Sequence, residues 1–382
     1  MNGELEISFA ALRANAEALR ALVAPTHAAF VVKGNAYGHG APEVARAIET
    51  HARYLCAYTI DEALALRAAG IAAPLLILGP VPASALRSAI ESDCELPLWD
   101  ERGYLRDVAK AARSCGRPAR VHVKINTGLN RFGIEAEACD ALLDAVAGVR
   151  DVEIVGVFSH LAAAEEIDSP YTQYQLARFT IAREPLRARF PTAQQHIAAS
   201  AAAMLWPQSR LDLARFGIAL YGIWPSEQTR AAMEDSGLTL QPALSYRSQL
   251  VVTREIDAGE AIGYGCTFHA PRAMRIGVLP LGYADGIPRL LSNGGAFLVD
   301  GARCAILGRI AMNTCVLDLT NAPAAAVGTK VTLIGRDGSE AISADDWARW
   351  AQTISYEIVT RLPSTLPRAF IEKHPSRNKL HP

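Results

Sequence analysis

The sequence has almost no surplus of charge of either sign: 38 lysine and arginine residues face 39 aspartate and glutamate residues, a formal net charge of -1. Such a balance gives no broad field that would gather nucleic acid or an anionic membrane surface. Long apolar runs are missing as well, and no stretch reaches the roughly 18 residues of a membrane-spanning helix. The opening MNGELEISFAALRANAEALR places acidic residues early and has an amphipathic pattern, unlike a basic segment followed by an apolar run. It does not read as a secretory signal. The seven cysteines, at 56, 94, 115, 139, 266, 304 and 315, are scattered, with no CxxC and no Cys/His cluster at metal-ligand spacing. They argue against a disulfide framework and a metal centre, and are expected to be mostly buried, reduced fillers. No internal repeat or low-complexity tract stands out. What remains is a soluble, cytoplasmic protein acting on a small molecule, with no nucleic-acid or membrane partner.

What is present is length and pattern. A chain of 382 residues, half of them hydrophobic, is long for one core, so two domains are expected. Up to about residue 225, apolar β-rich runs alternate with Ala/Leu/Arg-rich segments at helical period. Eight strands are predicted, at 27–33, 53–59, 74–79, 95–99, 119–125, 153–160, 194–199 and 214–222. Helices are predicted between them at 41–50, 60–69, 100–114, 134–147 and 172–189. The alternation is that of a parallel α/β fold, either an eight-stranded TIM-type barrel or an open doubly wound sheet. Beyond Trp224 and Pro225 a polar helical stretch leads into short β runs separated by Gly, Pro and Asp, with one late helix near 342–355. We therefore expect an α/β barrel over residues 1–230 and a mainly-β domain over 231–382, whose closing EKHPSRNKLHP is loose.

Lys33 closes the first predicted strand in HAAFVVKGNAYGHG. In a barrel it would stand at the mouth where several strands converge, although position alone fits a lysine reaching out to solvent. The following Gly34-Asn35-Ala36-Tyr37-Gly38-His39-Gly40 supplies a tight turn before a helix. The block VVKGNAYGHG resembles the cofactor-lysine motif of alanine racemases, with Gly34 where that family more often has Ala or Ser. The similarity runs from LEISFAALRAN to TRLPSTLPR, nearly the whole chain.

The resemblance implies that Lys33 carries pyridoxal 5'-phosphate as a Schiff base, an attachment that needs an amine able to lose its proton. It implies that Tyr37, Ser200, the Gly217-Ile218 backbone and Tyr356 hold the phosphate. His160, His196 and Arg215 would surround the ring. Arg215 would donate a hydrogen bond to the pyridine nitrogen without giving up its proton, leaving the ring a moderate electron sink. The segment VHVKINTGLNRFG matches a family pair in which Arg131 helps hold the substrate carboxylate and Lys124 is a candidate for carbamylation. Uncarbamylated, the two cations would need an anion between them.

In the β domain, AIGYGCTF resembles the family segment bearing a second base, here Tyr264, while LGYADGIPR and GRIAMN place Tyr283 and Met312 at family active-site positions. These three are implied to reach into a neighbouring subunit, making the protein a homodimer. Racemisation removes a proton from one face of a carbon and returns one to the other, which suits two opposed groups, Lys33 and Tyr264. A tyrosine, with its usual pKa near about 10, needs a network to work near neutrality, implied here to run through His160 to Arg215. The implied activity is conversion of L-alanine to D-alanine, a peptidoglycan precursor. The sequence departs from the family pattern at Asn126, Ala199, Phe216 and Asn313, which keeps a serine or broad-specificity racemase open. A related decarboxylase or a non-catalytic cofactor carrier fits less well. The former's late catalytic-cysteine segment has no match here, and the latter lacks a second domain.

Overall fold

The computed structural model describes residues 3–100 and 103–372. The chain divides into two compact units, one of residues 12–36 and 41–241, the other of residues 1–11, 37–40 and 242–382.

The helix Phe9–Val23 is followed in the chain by the barrel strands of the first unit. With Gly3–Ser8 as β1, these are β2 (His27–Val31), β3 (Tyr54–Ala57), β4 (Leu75–Ile77), β5 (Cys94–Leu98) and β6 (Ala119–Asn126). After the short β7 (Ile134–Glu135) come β8 (Val152–Phe158), β9 (Gln194–His196) and β10 (Leu213–Phe216). The order is β10-β2-β3-β4-β5-β6-β8-β9, parallel throughout. Backbone bonds Asp212 N to Gln195 O and Arg215 N to Ala198 O, each 3.1 Å, tie the two ends together. Sequential strand order and a joined edge define a TIM-type barrel and exclude the open doubly wound alternative, whose strand order would reverse at a switch point.

The last predicted strand is shorter than its apolar run suggests. At Gly217 the backbone leaves the β region (φ -100°, ψ -99°) and Ile218–Tyr221 forms a 3-10 turn. The turn is fixed by the Tyr221 hydroxyl donating to the Val31 carbonyl at 2.8 Å. Short apolar runs do not themselves distinguish strand from buried turn.

The second unit is mainly β. Its sheet holds β11 (Leu244–Gln249) between β1 and the strand Lys330–Asp337. β1 also pairs in parallel with Arg368–Ile371. Tyr246, Phe297 and Trp347 pack there, ring centroids 6.3 and 5.8 Å apart. The expected late helix is two, Ala344–Trp350 and Ser355–Thr360, because Gln352 takes positive φ (54°) and breaks the run. The final residues from Lys373, nearly all of the tail expected to be loose, lie outside the described residues. Among the described residues no helix is long and apolar enough to cross a membrane. All seven cysteines are free, and Cys56, Cys94, Cys139, Cys304 and Cys315 are buried.

Candidate active site

Lys33 stands just past the carboxyl end of β2, the end at which barrels carry their chemistry. The turn after it is left-handed at Gly34, Asn35 and Ala36 (φ 62°, 53° and 53°) and at Tyr37 (φ 51°). Consecutive left-handed residues with side chains are strained and persist only where their surroundings hold them. Glu62 does part of the holding. One of its carboxylate oxygens accepts from Gly34 N at 2.7 Å, and the other accepts from Tyr58 N at 2.8 Å and Thr59 N at 3.2 Å. The Asn35 side chain accepts from Ala41 N at 2.9 Å and starts the next helix.

The barrel interior is polar where an apolar lumen is usual. Arg215 on β10 is buried, and its guanidinium donates to the Ser159 carbonyl at 2.8 Å and the Ile197 carbonyl at 3.2 Å. It also meets His196 Nδ1 at 2.5 Å and His160 Nδ1 at 3.4 Å. Phe158 is the platform of this layer: the His196 ring stacks on it at 5.0 Å, and the Arg215 and Lys124 cations lie 5.6 and 5.1 Å from its centroid. Behind His196 come His122 and Glu95, both buried.

Burial, and after it the crowding of cations, sets the chemistry of the mouth. Burial, reinforced by Arg131 and Arg215 and opposed by Glu62, pulls the Lys33 amine below the usual lysine range. Lys124, 4% exposed, is brought down to about 7, by burial first and then by Arg131, Arg215 and Lys33, all cations. Its amine lies 3.6 Å from the centre of the Phe132 ring. Burial first, then Arg215 and Lys124, with Arg131 and Lys33 also acting on His160, hold His160 and His196 well below the ordinary histidine value, so both are neutral near pH 7. Arg215, lowered to about 10 by burial, keeps its proton there. Four basic side chains around two neutral imidazoles favour an anionic ligand and leave an amine that can react uncharged. These residues fit a pyridoxal phosphate and a carboxylate-bearing substrate.

Other sequence-predicted residues gather in two further places. Ser200, which begins the helix Ser200–Leu205, accepts from Gly217 N at 3.1 Å, so Ser200, Gly217 and Ile218 form one corner of the barrel mouth. Tyr37 and Tyr356 lie together in the second unit, rings 6.3 Å apart. Gly38 allows the approach, since a Cβ there would come within 2.0 Å of the Val359 carbonyl oxygen. Tyr264, Tyr283 and Met312 share a loop cluster of the second unit. Tyr283 N donates to Ala311 O at 3.1 Å and Ala284 N to Met312 O at 2.9 Å. A Cβ on Gly265 would strike the Arg309 guanidinium at 2.7 Å. Tyr264 is 73% exposed, Tyr283 44% and Met312 55%.

Sequence reasoning missed Glu62, Glu95, His122 and Phe158. Thr59 and Glu62 form a capping box, whose T-x-x-E signal was available. In ARVHVKIN the alternation of Arg120, His122, Lys124 and Asn126 puts His122 on the face of Lys124. Glu95 had no comparable signal.

Fold and site together define a barrel protein that presents an activated lysine to an anionic ligand, joined to a β domain offering exposed aromatic residues. The alanine racemase N-terminal domain model matches residues 7–225 and the C-terminal domain model residues 243–370. The alanine racemase of Desulforamulus reducens is 37% identical over 370 residues, covering 96% of this chain and 98% of that protein. That of Salinispora tropica is 39% identical over 384 residues, covering 97% and 99%. The crystal structure of alanine racemase from Streptomyces lavendulae superposes with a TM-score of 0.92 at 36% identity, covering 97% of each chain. The chain belongs to the alanine racemase family.

Proposed function

We propose that the protein is a pyridoxal-phosphate-dependent alanine racemase acting as a homodimer in the cytoplasm. The observation that carries this is the uncharged-prone Lys33 amine among Lys124, Arg131 and Arg215 at the barrel mouth, in a chain of this family. Lys33 would hold the cofactor. Ser200, the Gly217 and Ile218 backbone, Tyr37 and Tyr356 would hold its phosphate, and Arg215, His160 and His196 would surround its ring. When bound, the ring accepts the electrons left behind as the substrate α-proton departs.

The remaining work belongs to side chains. Arg215, lowered only to about 10, would donate to the pyridine nitrogen and keep its own proton. The Lys33 amine takes or returns the α-proton on one face. Tyr264 of a second copy does so on the other, with Tyr283 and Met312 beside it and Arg131 on the substrate carboxylate. The exposure of all three β-domain residues suits completion of a partner's site. Lys124, with a large neutral fraction near pH 7, can add to carbon dioxide and release a proton, giving a carbamate that would balance Arg131. Free, mostly buried thiols suit a reducing compartment.

Incubation of the purified, cofactor-loaded protein with L-alanine in deuterated water tests the proposal. The α-proton signal should vanish while optical rotation decays to zero. Exchange with retained rotation, or no exchange with alanine but turnover of another amino acid, would overturn it in mechanism or in substrate. Lys33→Ala should lose visible absorbance and turnover together.

A further inference from the structure

The barrel interior contains a hydrogen-bonded chain that these proton transfers leave unused. Glu95, 3% exposed, and His122 and His196, both 0%, lie in line behind Arg215. The contacts are Glu95 Oε2 to His122 Nε2 at 2.6 Å, His122 Nδ1 to His196 Nε2 at 2.9 Å, and His196 Nδ1 to the Arg215 guanidinium at 2.5 Å. Burying such groups in place of apolar side chains is costly unless each is fully bonded. We propose that Glu95 and His122 are positioning residues: they fix which nitrogen of His196 carries the proton, and thereby hold Arg215 where it must meet the cofactor's pyridine nitrogen.

The direction of the chain follows from its ends. A guanidinium has only donors, so His196 Nδ1 must be bare. His196 then carries its proton on Nε2 and donates to His122 Nδ1, which must also be bare. His122 is left with a proton on Nε2, which needs an acceptor, and the Glu95 carboxylate has no donor to offer in its place. Arg120, 3.0 Å away, occupies the other Glu95 oxygen. The opposite His196 tautomer would point an N–H at an N–H of Arg215.

The fold makes room for this relay. The register of β6 against β8 slips between Val121 and His122, an irregularity of the kind that re-aims a side chain. Gly156 on β8 leaves the space: a Cβ there would lie 2.0 Å from His122 Nδ1. Tyr54 meets the His122 ring edge-on at 5.8 Å and limits its rotation.

The inference rests on Arg215 having the role proposed above, and its test separates the two. Histidine-labelled, cofactor-loaded protein is examined by long-range proton–nitrogen correlation, which reports each ring's tautomer without turnover. His122 and His196 should both carry the proton on Nε2. In Glu95→Gln, whose amide can turn a donor toward His122, His196 should populate the other tautomer. Turnover kcat should fall roughly 10- to 100-fold, the usual penalty for an outer hydrogen-bond partner, with KM changed less than about two-fold. His122→Phe should act in the same direction. A wild-type His196 protonated on Nδ1 would overturn the proposal. So would a folded Glu95→Gln with the wild-type ring signature and kcat, whatever its melting temperature. An inactive wild type with the expected tautomers would count against the racemase reading alone.

Discussion

Lys124 gives the clearest pH signature at the scale of single residues. An unfolded chain keeps a lysine proton to about pH 10.4, whereas the folded protein releases this one at about 7. Between those values the unfolded chain binds more protons, so stability rises with pH across that window. Below about pH 7 both states are protonated, and the folded one bears the full cost of the buried charge. Lys124→Met should therefore raise the melting temperature at pH 6 to 7 and flatten its rise toward pH 10, measured on bicarbonate-free protein. The slope should not vanish, because Lys33 is shifted in the same direction. Coincident wild-type and variant slopes would show that the charge carries no such cost.

Asn126 explains one departure from the family pattern. Its side-chain oxygen accepts from Gly128 N and Asn130 N, each at 3.1 Å, and its amide nitrogen donates to Glu135 at 2.9 Å. Asp at this position would set a carboxylate against Glu135 and lose that donor. Asn126→Asp should cost about 1–3 kcal/mol in denaturant unfolding, the usual scale for losing a part-buried hydrogen bond to a charged partner. It should also raise KM, because the loop it braces carries Arg131. An unchanged midpoint would reject the amide's bracing role.

Among the elements, β8 shows how a strand is shaped by what it must admit. Gly156→Ala should destabilise by about 1–3 kcal/mol or more, typical of overpacking, and lower kcat by displacing His122. Gly148→Ala is the control. A Cβ there meets nothing within 4 Å, and its φ of -91° is ordinary, so its effect should stay within about 0.5 kcal/mol. Equal urea midpoints for the two variants would show that His122 is not seated as tightly as the geometry requires. The Lys33 turn makes the complementary point. The strand ahead of it was legible from apolar content, but its left-handed course depends on bonds to Glu62, supplied by the following βα unit.

For the whole molecule, the proposal that each site draws Lys33 from one copy and Tyr264 from another has a quantitative consequence. A mixed dimer of Lys33→Ala and Tyr264→Phe has one site with both defects and one intact. Unfolding and refolding an equal mixture of these inactive variants should restore about a quarter of wild-type activity, since half the dimers are mixed and each has one working site. No recovery, with dimer formation verified by sedimentation, would mean that Lys33 and Tyr264 act within one chain.

The sequence by itself determined an alternating α/β half and a β-rich half, because strand and helix periods are local properties of the chain, while the choice of a closed barrel over an open sheet was left to tertiary structure. The sequence also singled out Lys33, whose motif is a short contiguous block. What it could not determine were pairings between distant segments. β1 joins a strand beginning at Leu244 and another beginning at Arg368, and nothing in GELEIS names those partners. Glu95, His122 and His196 likewise belong to three different strands. Only closure of the sheet turns them into one hydrogen-bonded line, because it brings strands from across the sequence around a common interior where water is excluded and every buried polar group must find a partner.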